Sequence, residues 1–495
     1  MKSRQAEILG FLDRTKVLAN ELCPINTLPP EVLSVIPTYW PADSQRDLIR
    51  ATHVCRYWRT TLIASPSLWN VVKSGNEALA RCILHRSRQF PLSLEIKHPG
   101  QEGVFSDVVL SRAKSLTIDL PVTSLKKTLA RLVSPTPALE ELSITLTDSS
   151  VDSFSIADTG GFVDSFSIAD TGGFVMLSKL HLKGVHSNLF HLLIPRLATL
   201  HLENLRNSPR MPDLLRFLRH TPWLERLVLV KVGPRKDEGF LGPVVSLGLL
   251  RTLTLHGTVA KANLLRHLVI PASANINLMG HFEYGLEGFM EELLPPSLQH
   301  LPVTSSFTSL SIKKLLLYSC VIKLSGNDGS LNTTVTESVK LERFPGRVNL
   351  TSSTAGLCFQ RLTPLVLNTV THLAIQSDPQ DEHIFPDPSL FHDFLHQLPS
   401  LQSICLVHCD FNSIRAFDPV EVNLPSFSSL DIHVAPDRKI DLGLLSDIAK
   451  SKLSLQCPLE RVKLVSSTAI AFDKSEMVRL REHVQVVEVR EVNEN

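Results

Sequence analysis

At 495 residues the chain is longer than one hydrophobic core ordinarily supports, which points to several domains or a long repeat array. Its 50 Lys+Arg against 49 Asp+Glu leave a formal charge of +1, which argues against an extended nucleic-acid footprint or a polybasic membrane anchor. The 8 cysteines are scattered and form no CxxC pair, so reduced thiols in a cytoplasmic or nuclear compartment fit better than a disulfide framework.

The N-terminal segment "MKSRQAEILGFLDRTKVL" mixes Lys2 and Arg4 with Glu7 and Asp13 and lacks a clean apolar run. Residues 1–24 therefore read as an amphipathic helix and not as a signal peptide. Later apolar runs are broken by Lys, Arg, His or Pro before about 18 residues, so no membrane-spanning helix is expected.

Residues 25–72 hold three of the 4 tryptophans, Trp40, Trp58 and Trp69. In "LPPEVLSVI" (28–36), Pro29 and Pro30 suit a helix start, with Glu31 in a first turn favourable to the helix dipole. Pro37 should end or kink that helix. A further helical face collects Leu48, Ala51, Cys55, Trp58 and Leu62. A module of this size has little core of its own, so it is suited to lean on a partner. Residues 73–90 read as a linking helix.

From Phe90 the texture changes to short strands with apolar residues at alternate positions. The form apolar-x-x-apolar-x-apolar recurs as "AKSLTI", "LEELSI", "LSKLHL", "LATLHL", "LERLVL", "LRTLTL", "LQSICL", "FSSLDI" and "LERVKL". Chance matches to so loose a pattern are expected, and the spacing carries more weight. Ala113 to Leu139 is 26 residues, Leu197 to Leu224 is 27, Leu224 to Leu250 is 26 and Leu401 to Phe427 is 26. These lengths fall in the leucine-rich-repeat range, one strand and one return segment per repeat. Helix-like return segments end at proline before the next strand, as in "DLLRFLRHTPWLERLVL".

"LQSICLVHCDF" and "IKKLLLYSCVI" (Ile312 to Ile322) both read as a longer repeat form, with a thiol after the strand able to bond the turning backbone. Leu139 to Leu177 spans 38 residues, but "VDSFSIADTGGF" occurs twice within it, at 151–162 and 163–174. Removing one copy restores 26. A tandem duplication in a return loop, a duplicated binding loop and an error in the source sequence all account for it.

No G-x-x-x-x-G-K-[ST], H-E-x-x-H or G-x-S-x-G motif occurs. In "CLVHC", Cys405 and His408 should point to opposite faces of a strand, and Cys409 fits a turn position. Hence no catalytic residue, metal site or cofactor is expected, and the chain is not expected to be an enzyme.

The first module resembles an F-box. The match runs Leu28-Pro29-x-Glu31-Val32-Leu33-x-x-Ile36, then Asp47-Leu48, Val54-Cys55-x-x-Trp58 and Pro66-x-Leu68-Trp69. It is most similar to the large F-box family of mushroom-forming fungi, with Pro37 and Trp40 departing from the family pattern. The resemblance implies docking on the Skp adaptor of a cullin-RING ubiquitin ligase. It assigns adaptor contacts to Leu28, Pro29, Glu31, Val32, Leu33, Ile36, Val54, Cys55 and Trp58. Trp58 and Trp69 serve core and interface equally well on this reading.

The fold class is α/β: an all-helical F-box module followed, over 91–495, by an irregular leucine-rich-repeat solenoid. That solenoid would hold an unknown protein target, with no nucleic acid or membrane as partner. Polar strand positions that alternate with the apolar ones are the target-binding candidates: Ser143, Lys179, His181, His201, Glu203, Arg226, Thr252, Thr254 and Lys463. The alternative is an interaction scaffold of the same fold, uncoupled from ubiquitination.

Overall fold

A computed structural model describes residues 2–40, 45–73, 75–98, 105–121, 124–125, 128, 138–147, 175–185, 193–205, 209–232, 242–257, 261–282, 307–316, 319–326, 330–337, 368–376, 388–409, 424–434, 441–466 and 473–491. The protein divides into two compact units, Met1–Ile194 and Pro195–Asn495. It is a mixed α/β structure, helical at its N-terminus and dominated by parallel strands thereafter. Among the described residues, no helix is long and apolar enough to cross a membrane.

The first unit opens with helix α1 (Lys2–Glu21) and a 3-10 turn at Pro24–Thr27. Helix α2 (Pro30–Val35) follows, then a 3-10 turn at Ile36–Tyr39, α3 (Gln45–Ala51), α4 (Arg56–Ile63) and a 3-10 turn at Pro66–Trp69. Pro37 does end α2, but the chain continues helically for one tighter turn. Strand β1 (Val71–Lys73) precedes α5 (Glu77–Arg86), which occupies the segment expected to hold the linking helix. Asn76 caps α5, its side chain accepting from the Leu79 N–H at 3.1 Å.

Strand β2 (Leu92–Ile96), helix α6 (Asp107–Ser111), and strands β3 (Ala113–Leu120), β4 (Glu141–Leu146) and β5 (Lys179–Lys183) follow in this unit. Strands β1 to β5 pair in sequence order, all parallel. Parallel neighbours need a crossover between them, which the return segments supply. Strict alternation puts Leu92, Leu94 and Ile96, Leu116 and Ile118, Leu142 and Ile144, and Leu180 and Leu182 on one buried face. Each such side chain contributes about 1.5–3 kcal/mol on full burial. The step from β4 to β5 spans the repeated dodecapeptide, which lies outside the described residues; the two strands are nonetheless direct neighbours, Glu141 opposite Lys179.

In the second unit, β6 (Thr199–Glu203), α7 (Met211–Arg219), β7 (Arg226–Val230), β8 (Val245–Ser246), β9 (Thr252–His256), α8 (Lys261–Arg266), β10 (Leu268–Val269) and β11 (Asn275–Phe282) come first. Strands β6, β7, β9 and β11 run parallel in that order, and β8 pairs separately with β10. Helix α7 buries Met211, Leu214, Leu215, Phe217 and Leu218, and ends at Arg219, shortly before Pro222.

The order is then interrupted by β12 (Phe307–Leu316), β13 (Ser319–Gly326) and β14 (Ser330–Glu337). These pair antiparallel, with β14 alongside β11. The expectation that Ile312–Ile322 is one repeat copy is therefore wrong. Those two residues face each other across the β12–β13 pair, and Cys320 lies in a strand, not after one. The cause is local: alternation runs on through "FTSLSIKKLLLYSCVIKLSG", which suits two strands in succession.

Parallel order resumes with β15 (His372–Gln376) beside β12, followed by α9 (Pro388–Leu395), β16 (Ser403–Val407), β17 (Ser429–Val434), α10 (Leu442–Ser454), β18 (Arg461–Ser466), α11 (Lys474–His483) and β19 (Val486–Glu491). Strands β15 to β19 pair successively in parallel.

The same backbone device closes five of the strands. Directly after β5, β6, β7, β9 and β16 stand Gly184, Asn204, Lys231, Gly257 and His408, with φ of 71°, 48°, 50°, 58° and 55°. The amides of Asn204, Lys231, Gly257 and His408 donate to the carbonyls of Val230, His256, Met279 and His433 at 2.6–2.9 Å. The left-handed residue thus extends the ladder by one bond while turning the chain out of the sheet.

Candidate functional site

The site is the helical module at 25–72, built outward from its core. Leu33 is 0 % exposed and Trp58 7 %. They are buried together with Leu48, Ala51, Leu62 and Trp69. The two buried indoles find specific partners, as buried N–H groups must. Trp69 Nε1 donates to the Leu62 carbonyl at 2.8 Å, and the Arg86 guanidinium sits 4.4 Å from the Trp69 ring centre. Trp58 Nε1 donates to Asn26 Oδ1 at 2.8 Å. The module is tied together further by Tyr57, whose hydroxyl donates to the Leu28 carbonyl at 2.5 Å, and by Arg59, whose Nε donates to the Thr52 carbonyl at 2.9 Å. Gln45 Nε2 reaches the Val71 carbonyl at 2.6 Å, fastening the module to β1.

Outside this core, α2 and the turn after it present an apolar face. Glu31, Val32, Val35, Ile36, Tyr39 and Trp40 line one open groove. Val32, Val35 and Tyr39 are exposed, Tyr39 at 84 %, an unusual state for a run of large apolar side chains on a helix. Glu31 is the groove's one carboxylate, at the N-terminal end of α2.

This geometry divides the residues expected to touch an adaptor. Pro29, Glu31, Val32 and Val54 are exposed, and Leu28, Ile36 and Cys55 are half-buried. Leu33 and Trp58 are not surface residues: their side chains fill the core beneath the face and hold it in shape. Three groove residues escaped the sequence reading, namely Val35, Tyr39 and Trp40. Their signal was present, since 32, 35, 36 and 39 follow helical spacing. Pro37 masked it, because a proline reads as a stop, whereas here it sits in the first turn of a 3-10 helix and is itself buried.

The candidate target-binding residues lie on the polar side of their strands. Lys179 and Arg226 are exposed, and Ser143, His181, His201, Glu203, Thr252, Thr254 and Lys463 are half-buried. In the first unit, Ser143 Oγ and His181 Nδ1 are 3.3 Å apart on neighbouring strands, and Lys179 pairs with Glu141. In the second, Arg226 stands opposite Thr252, and His201 Nε2 is 3.9 Å from a Glu203 carboxylate oxygen.

Lys463 belongs to a separate row, Ala374, Cys405, Asp431, Lys463 and Glu488, in register across β15 to β19. Its Nζ is 3.9 Å from Asp431, and the neighbouring Glu488 is held by Arg461 at 3.1 Å and Arg490 at 3.3 Å. Burial and Asp431 push the Cys405 thiol up, with Lys463 opposing. His433 is shifted down by burial, then by Lys463, with Asp431 opposing. A thiol raised in this way is a poor nucleophile. Cys405 and His408 do not share a strand as expected: β16 ends at Val407, and His408 is the left-handed residue beyond it. Cys409 does take the turn position, its Sγ 3.4 Å from the Ile375 carbonyl and 3.5 Å from that of Val407.

Comparison with known families places one match on the chain: the model described as F-box-like covers residues 25–72. Those residues therefore form an F-box-like domain, and its limits coincide with the module whose groove has just been described. No curated protein sequence matches the chain.

Proposed function

We propose that this chain is the substrate-recognition subunit of a Skp–cullin–F-box ubiquitin ligase. F-box domains generally bind the Skp adaptor of cullin-RING ligases, and the F-box-like match at 25–72 is the observation that carries the reading. The exposed apolar groove on the same residues supports it physically. Pro29, Val32, Val35 and Tyr39 offer anchors of the kind that dominate such interfaces, within an interface of about 1,600 Å² in total.

The remainder, 91–495, is read as an irregular leucine-rich-repeat solenoid of the type found in the F-box family of mushroom-forming fungi. Strand spacings of 26 and 27 residues, buried leucines at alternate positions and the recurring left-handed residue after the strand support that reading. Its polar strand side, carrying Ser143, Lys179, His181, His201, Glu203, Arg226, Thr252, Thr254 and Lys463, would hold a protein target in the cytoplasm or nucleus. The chain itself performs no chemistry. It raises the effective concentration of target lysines near a ubiquitin-charged enzyme supplied by the rest of the complex.

The test is a pull-down of the purified Skp adaptor by the full chain and by a Leu28→Ala/Pro29→Ala variant, with folding checked by circular dichroism. Capture by the parent chain and its loss in the variant support the proposal. A folded parent chain that captures no adaptor refutes it, leaving an interaction scaffold uncoupled from ubiquitination.

A further inference from the structure

Helix α1 stands apart from the rest of the first unit in how little it buries. Ile8, Phe11, Leu12 and Leu18 are all exposed, Phe11 at 66 %. At 100° per residue these four fall within an arc of about 120°, outside which exposed Val17 lies, and Leu22, also exposed, continues the same line one residue past the helix end. A stripe of this width normally marks a helix face that is covered by something.

The helix is nevertheless held in place. Asn26 Nδ2 donates to the Asn20 carbonyl at 2.6 Å, and the Cys23 N–H donates to the same oxygen at 3.2 Å. Together they satisfy a carbonyl in the last turn that the helix cannot satisfy itself. The other end of the same amide, Asn26 Oδ1, accepts from the buried Trp58 indole at 2.8 Å. One asparagine therefore splints α1 to the core of the F-box-like domain. The stripe is also continuous with the docking face along the chain: exposed Leu22 and Ile25 bridge Leu18 to Leu28, Pro29 and Val32.

We infer that α1 is a second docking element for the Skp adaptor, its stripe of Ile8, Phe11, Leu12, Leu18 and Leu22 extending the face presented by residues 28–40. The inference rests on the adaptor reading above and goes beyond it, because α1 lies outside the F-box-like match.

Two other occupants fit less well. With Ile8, Thr15 and Leu22 at a and Phe11 and Leu18 at d, a second copy would pair over two heptads, fewer than the three or four a coiled coil usually needs. Its g positions, Glu7, Arg14 and Glu21, would face Leu12 and Ala19 in a parallel pair and like charges in an antiparallel one. A lipid surface would want a basic polar side, but Lys2, Arg4, Arg14 and Lys16 are offset by Glu7, Asp13 and Glu21.

The test is a calorimetric titration of purified Skp adaptor into the full chain, its Phe11→Gln/Leu18→Gln variant and its Val32→Asp variant. Glutamine is a good helix former, so α1 stays helical while its stripe is lost. The expected result is a Kd weakened about tenfold or more by the double substitution, with unchanged helix content. An unchanged Kd, while Val32→Asp abolishes binding, overturns the inference and leaves the adaptor reading standing. A parent chain that binds no adaptor overturns both. If the chain alone sediments as a dimer that the double variant dissolves, the stripe serves a second copy and the inference is wrong.

Discussion

Asn26 and Trp58 are joined by a 2.8 Å hydrogen bond, the indole N–H donating to the side-chain amide oxygen. The bond links a solvent-side turn to a tryptophan in the core, so it couples the segment leading into α2 to the packing beneath it.

Replacing Trp58 by Phe keeps most of the apolar volume while removing the donor and part of the indole. It should cost about 1–2 kcal/mol, because Asn26 Oδ1 loses its indole partner. Trp58→Ala should cost about 3–5 kcal/mol through the cavity it leaves. Urea unfolding of the two variants gives the comparison; a Trp58→Phe variant as stable as the parent would mean that the hydrogen bond contributes nothing measurable.

The left-handed residues after the strands predict a pair of opposite effects. A Cβ on Gly184, at φ of 71°, would come within 3.2 Å of Leu146 Cβ, so Gly184→Ala should destabilise by about 1–2 kcal/mol. Lys231 adopts the same conformation at φ of 50° without being glycine. Lys231→Gly should therefore be neutral or stabilising by up to about 1 kcal/mol. Thermal melts should show a lowered midpoint for Gly184→Ala and an unchanged or raised one for Lys231→Gly.

Lys452 gives a pH prediction. It is 4 % exposed, its Nζ donates to the Leu424 carbonyl at 2.9 Å and it lies 4.9 Å from the Phe427 ring centre. Burial lowers its ammonium from the ordinary 10.5 to about 8, with Cys457 opposing. The folded state then sheds its proton at lower pH than the unfolded state. Between about pH 8 and 10.5 the unfolded chain binds more protons, so the stability contribution of this residue rises with pH and is smallest below 8. Lys452→Met should flatten that rise. Denaturant midpoints for both proteins at pH 7.5 and pH 10 measure it, and parallel changes in the two would disprove the assignment.

The raised Cys405 thiol predicts selective labelling. Cys23 is exposed and should be alkylated by iodoacetamide well before Cys405, which is half-buried and held protonated by burial and Asp431. Asp431→Asn should speed Cys405 alkylation several-fold by removing the charge that disfavours its thiolate. Peptide mass spectrometry at timed quenches reads both rates.

Much of this architecture was visible in the chain itself, for identifiable reasons. Alternation in "LERLVL" and "LRTLTL" put Leu227, Leu229, Leu253 and Leu255 on one face, and the 26-residue spacing made β7 and β9 parallel neighbours. Cys409 was placed after its strand because the turning backbone there leaves carbonyls to bond. The β12–β14 insertion was misread because its first strand carries the same leucine pattern as a repeat. The antiparallel pairing of Ile312 with Ile322 separates the two. On α2, the apolar positions were legible but their depth was not. Leu33 and Val32 are adjacent and equally apolar, and only the packing of α2 against α4 decides which is buried.

Hydrogen–deuterium exchange of the full chain, with and without saturating Skp adaptor, tests the central claim most directly. New protection is expected over residues 28–40 and around Val54, in the segments that carry the exposed apolar side chains. An exchange pattern that the adaptor leaves unchanged in those segments would contradict it.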